Sequence, residues 1–303
     1  MNYLKELLIY LGKVFRLCWL FVLLKARDFS HYLLILWYDL KIRLGNNKKV
    51  SVREVSQKTK IHCLYFSCGK DFEYLFISLK SLERLGLNYI ENVYLYIDRK
   101  DPLSNGQINK LKKELPLNII IRKTKYKGSG AGLGLEAIIS ELVAFKEIIT
   151  EISQDDYITK IDSDVLFISD KIFRGVISGN SDAIGQPTLK GGKRYMMGGC
   201  YFLRGSLLSS IVDQPVRNVI KLTHKALGHP ISLSPEDKAI SEIVEQSGAK
   251  INFTSKYFPT RGIHNNNPID EYLQQYSVIH FTKWLGFEKK QMPEVWDRIC
   301  SGN

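Results

Sequence analysis

Apolar and polar residues follow two different periods along this chain, and regular alternation between them begins near residue 60. From there on, short β-branched runs such as IHCLYFSC alternate with longer segments such as FEYLFISLKSLERLG, whose apolar residues recur every three or four positions. The first pattern is typical of buried strands and the second of amphipathic helices. We therefore predict strands at 61–68, 92–98, 117–123 and 157–162, and helices at 72–86, 107–115 and 135–152.

The order of these elements predicts the fold class. Strands that alternate with helices are typical of an α/β protein with a Rossmann-like, mostly parallel sheet and helices on both faces. In such open sheets the ligand lies beyond the carboxyl ends of the strands. Ser67, Asp98 and Asp162 each lie at the end of a predicted strand. We expect these three residues to meet in one crevice of a domain that spans residues 59–303.

The first 58 residues have a different pattern. Their apolar stretch YLKELLIYLGKVFRLCWLFVLL is interrupted by charges, and its longest uncharged run is 17–24. That run and a second one at 31–38 are much shorter than the about 20 residues that span a bilayer. An apolar core followed by small residues, which would indicate a signal peptide, does not occur before Lys25. The pattern predicts one or two amphipathic helices that lie on a membrane surface, or that pack on the domain or in an oligomer of unknown size.

The charge of the chain is concentrated in the same segment. The formal net charge is +12, and residues 1–60 hold twelve Lys or Arg against four acidic residues, which places +8 there. The rest of the chain therefore has an ordinary charge, which argues against nucleic-acid binding. Basic residues beside Trp and Tyr suit an anionic membrane surface. We expect a cytoplasmic protein that is peripheral at the inner face of the membrane.

The cysteines do not indicate a metal site. Five are scattered along the chain without a C-x-x-C pair, and Cys63 and Cys68 lack a second Cys or His pair to complete a zinc site. We expect reduced thiols, which suit a cytoplasmic protein.

The glycine-rich run KGSGAGLG, residues 127–134, lacks the spacing of a dinucleotide-binding motif. Counted from Gly128 or from Gly130, the sixth position is a leucine where G-x-G-x-x-G requires glycine. Lysines precede the run and a helix follows it, so Lys127 is a candidate phosphate contact. A loop ahead of a helix explains the same residues without a ligand.

Paired aspartates follow the predicted strand of YITKIDSDVLF. If the strand continues through Asp162 and Asp164, residues two apart point to the same face, and both carboxylates reach one divalent ion. Mg²⁺ and Mn²⁺ prefer carboxylate oxygen and often bridge to phosphate. We therefore expect a metal ion rather than a protein cation beside them. A turn with side-chain hydrogen bonds at the strand end is the simpler alternative.

Three further motifs follow in order: MMGGCYFLRGSLL at 196–208, SPEDKAISEIV at 234–244 and VIHFTKW at 278–284. Together with the D-x-D pair, the chain from 61 to 284 resembles the GT-A class of glycosyltransferases. The resemblance implies a nucleoside diphosphate sugar donor, Mn²⁺ or Mg²⁺, and a hydroxyl acceptor on a saccharide or glycolipid. The membrane-surface segment then favours a part in envelope polysaccharide or lipopolysaccharide assembly.

The resemblance also implies roles for particular residues. Asp164 and His280 would bind the metal, and Asp162 would bind metal or ribose. Asp237, next to Glu236, would face the acceptor hydroxyl and act as the general base in an inverting enzyme. The remaining candidates would contact the donor or shape the acceptor pocket: Phe66, Ser67, Asp98, Lys127, Gly198, Gly199, Lys283 and Trp284.

Each motif also has an explanation without catalysis. Ser234 suits a helix N-cap, and Glu236 and Asp237 favour the positive end of that helix. His280 lies in an apolar run, where histidine is commonly a core residue, and His264 competes for its role. The segment SPEDKAISEIV resembles the x-E-D motif of GT-A enzymes, which favours inversion of the anomeric carbon, whereas IHFTKW resembles retaining families.

Two other functions stay open. A nucleotidyltransferase uses a metal and paired acids on an α/β sheet, although the first strand here is followed by only one glycine and one lysine, Gly69 and Lys70, in SCGKDFEY. A non-enzymatic membrane-surface binding protein would account for the charge, but not for the paired aspartates or for His280.

Overall fold

The protein is represented by a computed structural model that describes residues 58–124, 135–190, 192–212, 236–259, 269–282 and 287–301. The predicted N-terminal segment lies outside these residues except for Lys58, so its helices and its boundary at residue 58 stay predictions. Within the described ranges, no helix is both long enough and apolar enough to cross a membrane.

The described residues form nine strands and eight α-helices, which alternate over most of the chain. The strands are β1 (Ile61–Ser67), β2 (Ile90–Ile97), β3 (Ile119–Lys123), β4 (Tyr157–Ile161), β5 (Val165–Phe167), β6 (Ala183–Lys190), β7 (Lys193–Arg204), β8 (Ile251–Phe253) and β9 (Val278–His280). The helices are α1 (Phe72–Gly86), α2 (Asn105–Glu114), α3 (Leu135–Ile148), α4 (Lys171–Ser178), α5 (Gly205–Val212), α6 (Glu236–Gln246), α7 (Ile269–Gln275) and α8 (Met292–Ser301).

Seven strands form the main sheet, in the order β3-β2-β1-β4-β7-β6-β8. β1 pairs in parallel with β2 and β4, and β2 pairs in parallel with β3. β7 runs antiparallel between β4 and β6, and β8 is parallel to β6. The predicted mostly parallel sheet is confirmed.

Helices cover both faces of this sheet, as predicted. Successive side chains of a strand point to opposite faces, and β1 shows the result: Tyr65 belongs to one buried cluster and Leu64 to the other. The Tyr65 cluster includes apolar residues of α1, α2 and α4. The Leu64 cluster includes apolar residues of α3, α5 and α6.

Most predicted element boundaries differ from the observed ones by one to four residues, and one of these differences has a clear local cause. α2 begins at Asn105, two residues early, because Ser104 caps it: the backbone N–H of Gln107 donates to the Ser104 hydroxyl at 3.2 Å, and the backbone N–H of Ser104 donates to Gln107 Oε1 at 2.7 Å. The segment with Gly198 and Gly199, predicted as an acceptor-side loop, lies inside strand β7.

A small second sheet brings the C-terminal part of the chain to the D-x-D pair. β5 pairs antiparallel with β9, and Val165 lies opposite His280 in the register. The backbone N–H of Phe281 also donates to the carbonyl of Asp164 at 2.9 Å. This pairing places His280 beside residues that precede it by more than a hundred positions in the sequence.

The fold predicts a clear difference between two leucines in and just after α1. Leu79 is fully buried between this helix and the sheet, whereas Leu87 is 50% exposed. We expect Leu79→Ala to lower the free energy of unfolding of the full chain by about 2–5 kcal/mol, because it leaves a cavity. Leu87→Ala is the control and should change it by less than about 0.5 kcal/mol. Urea denaturation followed by circular dichroism measures both, and equal losses would contradict this packing.

Candidate active site

The paired aspartates lie in a turn that joins β4 to β5, and not on a strand. β4 ends at Ile161, and the backbone N–H of Val165 donates to the carbonyl of Asp162 at 3.2 Å. The backbone N–H of Asp162 donates to the carbonyl of Gly199 at 2.9 Å, which fixes the turn to β7. The expectation that a continuous strand aligns the two side chains was wrong, and the turn brings them together instead.

Asp162, Asp164 and His280 form a cluster that suits a divalent cation. Their ligand atoms lie within 4.8 Å of one another. His280 Nε2 is 3.3 Å from Asp164 Oδ1 and 3.6 Å from Asp162 Oδ2. Ligand atoms bound at about 2.1 Å to one Mg²⁺ ion lie at most about 4.2 Å apart. Both distances from His280 Nε2 are below that limit, and two carboxylates with an imidazole suit Mg²⁺ or Mn²⁺ chemically.

The opposite charges of His280 and Asp164 each favour the ionised form of the other. Burial lowers the pKa of His280, whereas its hydrogen bond to Asp164 and the charges of Asp164 and Asp162 raise that pKa by more. The net shift in the pKa of His280 is therefore upward. Burial raises the pKa of Asp164, yet His280 and Lys289 outweigh it, and the net shift is downward. A bound metal ion would take the place of the imidazole proton, because histidine binds metals as the neutral ring.

Gly199 makes room for the imidazole of His280. A Cβ at residue 199 would lie 2.1 Å from His280 Nδ1 and 2.6 Å from both Cγ and Cε1. The ring therefore lies directly against the backbone of β7, with Nε2 toward the two aspartates. His280 Nδ1 is buried and has no hydrogen-bond partner among the described residues. Packing against Gly199 and the contact of Nε2 with Asp164 thus orient the ring together.

Gly198 makes room for the start of α6 in the same way. A Cβ at residue 198 would lie 3.1 Å from Asp237 Cβ and 3.2 Å from Glu236 Oε1. Asp237 is oriented by two backbone donors, Gly198 N–H to Oδ2 at 3.1 Å and Lys238 N–H to Oδ1 at 2.8 Å. The two glycines accommodate side chains of the site itself. Their predicted contact with a ligand is an additional role that stays a prediction.

A buried lysine that we did not predict connects these groups. Lys160 Nζ donates to Asp162 Oδ1 at 2.7 Å, to Glu236 Oε1 at 2.7 Å and to the carbonyl of Gly198 at 2.6 Å. The expectation that no protein cation accompanies the aspartates was therefore wrong, for Asp162 because of Lys160 and for Asp164 because Lys289 lies 3.7 Å from it. Alternation along β4 was the available signal, because residues 160 and 162 are two apart in an otherwise apolar run.

Three buried or half-buried carboxylates near Lys160 have raised pKa values: Glu236, Asp237 and Glu141. Burial raises the pKa of Glu236 to about 7 even though Lys160 opposes the shift. Burial also raises the pKa of Asp237, and its backbone hydrogen bonds offset only part of that. Burial, with the charge of Glu236, holds the pKa of Glu141 well above its usual value. Burial thus opposes the ionised form of Asp237 that we expected at a helix N-terminus.

A second unpredicted cation lies on the other side of the metal cluster. Lys289 Nζ is 2.9 Å from Asp71 Oδ1 and 3.7 Å from Asp164 Oδ2. It also lies 4.8 Å from the centroid of the Tyr74 ring. Lys289 belongs to a short 3-10 helix at Lys289–Gln291, which the sequence pattern did not predict.

The predicted nucleotide contacts lie at the carboxyl ends of β1 and β2. The backbone N–H of Asp98 donates to the carbonyl of Ser67 at 2.9 Å, so these two residues are adjacent. The ring of Phe66 stacks at a tilt on Tyr96, with 5.4 Å between centroids. Asp98 Oδ1 accepts the backbone N–H of Lys100 at 2.7 Å. Their contact with a nucleotide stays a prediction.

The remaining candidates lie outside the described residues. These are Lys127, Ser234, His264, Lys283 and Trp284. Their predicted roles are neither supported nor contradicted by the geometry.

The contact between Gly199 and His280 predicts the effect of one methyl group. We expect Gly199→Ala to displace the imidazole and to raise the dissociation constant for Mn²⁺ about 10-fold to 100-fold, the range seen when residues that orient metal ligands are changed. Titration of the full chain with Mn²⁺, followed by the electron paramagnetic resonance of the free ion, measures this constant. Gly106→Ala in α2 is the control, because its Cβ would meet only Ser104 Oγ, at 3.8 Å. Equal Mn²⁺ binding by the two variants would contradict the proposed orientation of His280.

Comparison with known proteins agrees with the fold. No protein-family model and no curated protein sequence matches the chain. Among solved structures, the galactosyltransferase LgtC in complex with donor and acceptor sugar analogs matches 78% of this chain and 95% of its own, at 11% identity and a TM-score of 0.50. The apo form of the glycosyltransferase GlyE from Streptococcus pneumoniae TIGR4 matches 81% of this chain and 63% of its own, at 13% identity and a TM-score of 0.50. The GT-A fold predicted from the motifs is therefore confirmed.

Proposed function

We propose that the protein is a metal-dependent glycosyltransferase, which moves a sugar from a nucleoside diphosphate sugar to a hydroxyl group. The observation that carries the proposal is that the metal-binding cluster and the acidic start of α6 are connected by hydrogen bonds. One turn holds Asp162 and Asp164 against His280, and Lys160 connects that turn to Glu236 beside Asp237. The shared fold with LgtC and GlyE supports this choice of reaction.

Asp162, Asp164 and His280 are the residues that would hold Mn²⁺ or Mg²⁺. A bound divalent ion neutralises charge on the departing diphosphate, which is Lewis-acid catalysis. The protein contributes the arrangement of its ligands, with Asp162 Oδ2 and Asp164 Oδ1 both facing His280 Nε2.

Asp237 is the better candidate of the two acids for the general base. It is half-buried, whereas Glu236 is buried and hydrogen-bonded to Lys160. Two backbone N–H groups orient the Asp237 carboxylate. A pKa above the usual aspartate value suits a base that must take a proton near neutral pH. A base on the acceptor side favours inversion of the anomeric carbon, and we include inversion in the proposal.

The donor would occupy the edge of the sheet at the carboxyl ends of the strands. Phe66, Ser67 and Asp98 would contact the nucleoside, and Asp162 would bind ribose or metal. Lys127 and Lys283 are the proposed phosphate contacts. A saccharide or glycolipid acceptor would approach from the side of Gly198 and Asp237.

Residues 1–58 supply the reason for proposing a location. Their basic and aromatic composition favours an anionic membrane surface, and attachment there raises the effective concentration of a lipid-linked acceptor. We place the protein at the inner face of the membrane, in envelope polysaccharide or lipopolysaccharide assembly.

A panel of nucleoside diphosphate sugars tests the reaction. We expect release of nucleoside diphosphate from at least one donor in the presence of Mn²⁺, and none in EDTA. Asp164→Asn should slow release by about 100-fold or more, because a metal ion contributes several kcal/mol to charge stabilisation. Coupled detection of the released nucleotide measures both effects.

Asp297→Asn is the matched control for this experiment. Asp297 is an exposed carboxylate on α8 and should leave the rate unchanged. Folded protein that releases no nucleotide from any donor would contradict the proposal. Formation of pyrophosphate from a nucleoside triphosphate and a sugar phosphate would instead indicate a nucleotidyltransferase.

Vesicle flotation of the full chain tests the proposed location. We expect binding to vesicles with anionic lipid and much weaker binding to zwitterionic vesicles. Lys13→Glu with Arg16→Glu should abolish most of it, since each basic residue near the surface contributes about 1 kcal/mol. Lys112→Glu with Lys113→Glu, at exposed positions of α2, makes the same change in charge and should not. Equal flotation of the two double variants would contradict a role for residues 1–58.

A further inference from the structure

Lys160 has the hydrogen-bonding geometry of a residue that positions others. Its ammonium group has three N–H donors, and three acceptors surround it at 2.6–2.7 Å: Asp162 Oδ1, Glu236 Oε1 and the Gly198 carbonyl. The side chain is 5% exposed. Because all three N–H groups donate within the protein, Lys160 has none free to donate a hydrogen bond to a substrate.

The three acceptors belong to three different elements. Asp162 lies in the turn after β4, Gly198 lies in β7, and Glu236 is the first residue of α6. Lys160 is therefore a single contact point for the turn that carries the metal ligands, the strand beneath them and the helix that carries Asp237.

Lys160 also divides the two oxygens of Asp162 between two tasks. Oδ1 accepts the hydrogen bond from Lys160 at 2.7 Å, whereas Oδ2 lies 3.6 Å from His280 Nε2. A carboxylate held through one oxygen cannot rotate freely, so Oδ2 stays directed toward Asp164 and His280. Oδ2 is then the oxygen of Asp162 that faces His280, and Oδ1 is the one that Lys160 holds.

We propose that Lys160 is a positioning residue that fixes the metal-binding carboxylate of Asp162 relative to the acceptor-side helix at Glu236 and Asp237. The inference rests on the proposed function, because it takes Asp162 as a ligand of the metal on the donor side and the helix at Glu236 and Asp237 as the acceptor side. A displacement of about 1 Å between reacting groups can cost about 100-fold in rate. Lys160 fixes the distance between Asp162 and the start of α6 without contacting either substrate.

Balance of buried charge alone is the competing explanation. Asp162, Glu236 and Glu141 are acidic, and a cation beside them stabilises the fold whatever the reaction. The two explanations differ in what Lys160→Met does at saturating metal. If Lys160 serves only stability, variants that remain folded keep the rate of transfer. If it positions Asp162 and Glu236, folded variants lose the rate.

The first test compares metal binding with turnover in the full chain. We expect Lys160→Met still to bind Mn²⁺, because removal of the ammonium favours a nearby cation and offsets the loss of the hydrogen bond that orients Asp162. At saturating Mn²⁺ its kcat should fall about 100-fold. Mn²⁺ binding is read by electron paramagnetic resonance and kcat by nucleotide release. A wild-type kcat in folded Lys160→Met would overturn the proposal.

Lys193 offers a matched control. It also joins β7 to α6, through Glu242 at 2.7 Å and Glu245 at 2.6 Å, but it does not contact the metal cluster. We expect Lys193→Met to keep kcat and Mn²⁺ binding. A loss of kcat in Lys193→Met as large as in Lys160→Met would show that any link to α6 suffices, and would overturn a specific role for Lys160.

A double variant keeps the proposal testable if Lys160→Met does not fold. Lys160→Met with Glu236→Gln removes the buried carboxylate charge that the single change leaves unpaired, so the fold should recover. The expected result is a thermal midpoint near that of the wild type with a kcat still about 100-fold low. Recovery of both would overturn the proposal.

A mutant cycle on Mn²⁺ binding tests Lys160 without any sugar transfer. In wild type, Asp162→Asn leaves the Lys160 ammonium beside the metal site without its Asp162 partner. No such charge remains in Lys160→Met, with or without Glu236→Gln. In those backgrounds Asp162→Asn should therefore weaken Mn²⁺ binding about tenfold less than in wild type. Equal losses in all backgrounds would overturn the link between Lys160 and Asp162. If no donor is turned over, the proposed function fails while this cycle still reports on Lys160.

Discussion

Acidic groups can be buried beside one another only if positive charge or protons compensate for the loss of water. Lys160 meets this requirement at the centre of the site, through hydrogen bonds to Asp162, Glu236 and the Gly198 carbonyl. Lys289 does the same at the periphery, between Asp71 and Asp164. The arrangement of the metal cluster and of the start of α6 depends on these two cations.

The backbone delivers these side chains to one place through two strand pairings. β4 and β7 run antiparallel, which sets Gly198 and Gly199 next to the turn that carries the aspartates. β5 and β9 pair so that His280 lies opposite Val165, one residue beyond Asp164. The two glycines leave the space that His280 and the first residues of α6 fill. Sheet register and residue size together therefore build the site.

Much of the site was predictable because its residues belong to motifs with a recognisable order. Asp162, Asp164 and His280 were chosen as metal ligands on that basis, and their side chains do lie together. Lys289 was missed because it has no distinctive spacing from the other motifs, and the one signal for Lys160 was its place two residues before Asp162. The shift in the pKa of Glu236 to about 7 was equally unpredictable, because burial causes it and burial is a property of the packed chain.

The sequence by itself determined the alternation of strands and helices, the parallel sheet and the positions of the acidic motifs, because periodicity and local order are encoded in neighbouring residues. Only the tertiary structure decided that Asp162 and Asp164 meet in a turn and not on a strand. It also decided that Gly199 faces His280, and that a lysine two residues before Asp162 holds it to Glu236. The contacts of Gly199 with His280 and of Lys160 with Glu236 join residues about 80 positions apart, and the free energy of each depends on the burial that packing creates.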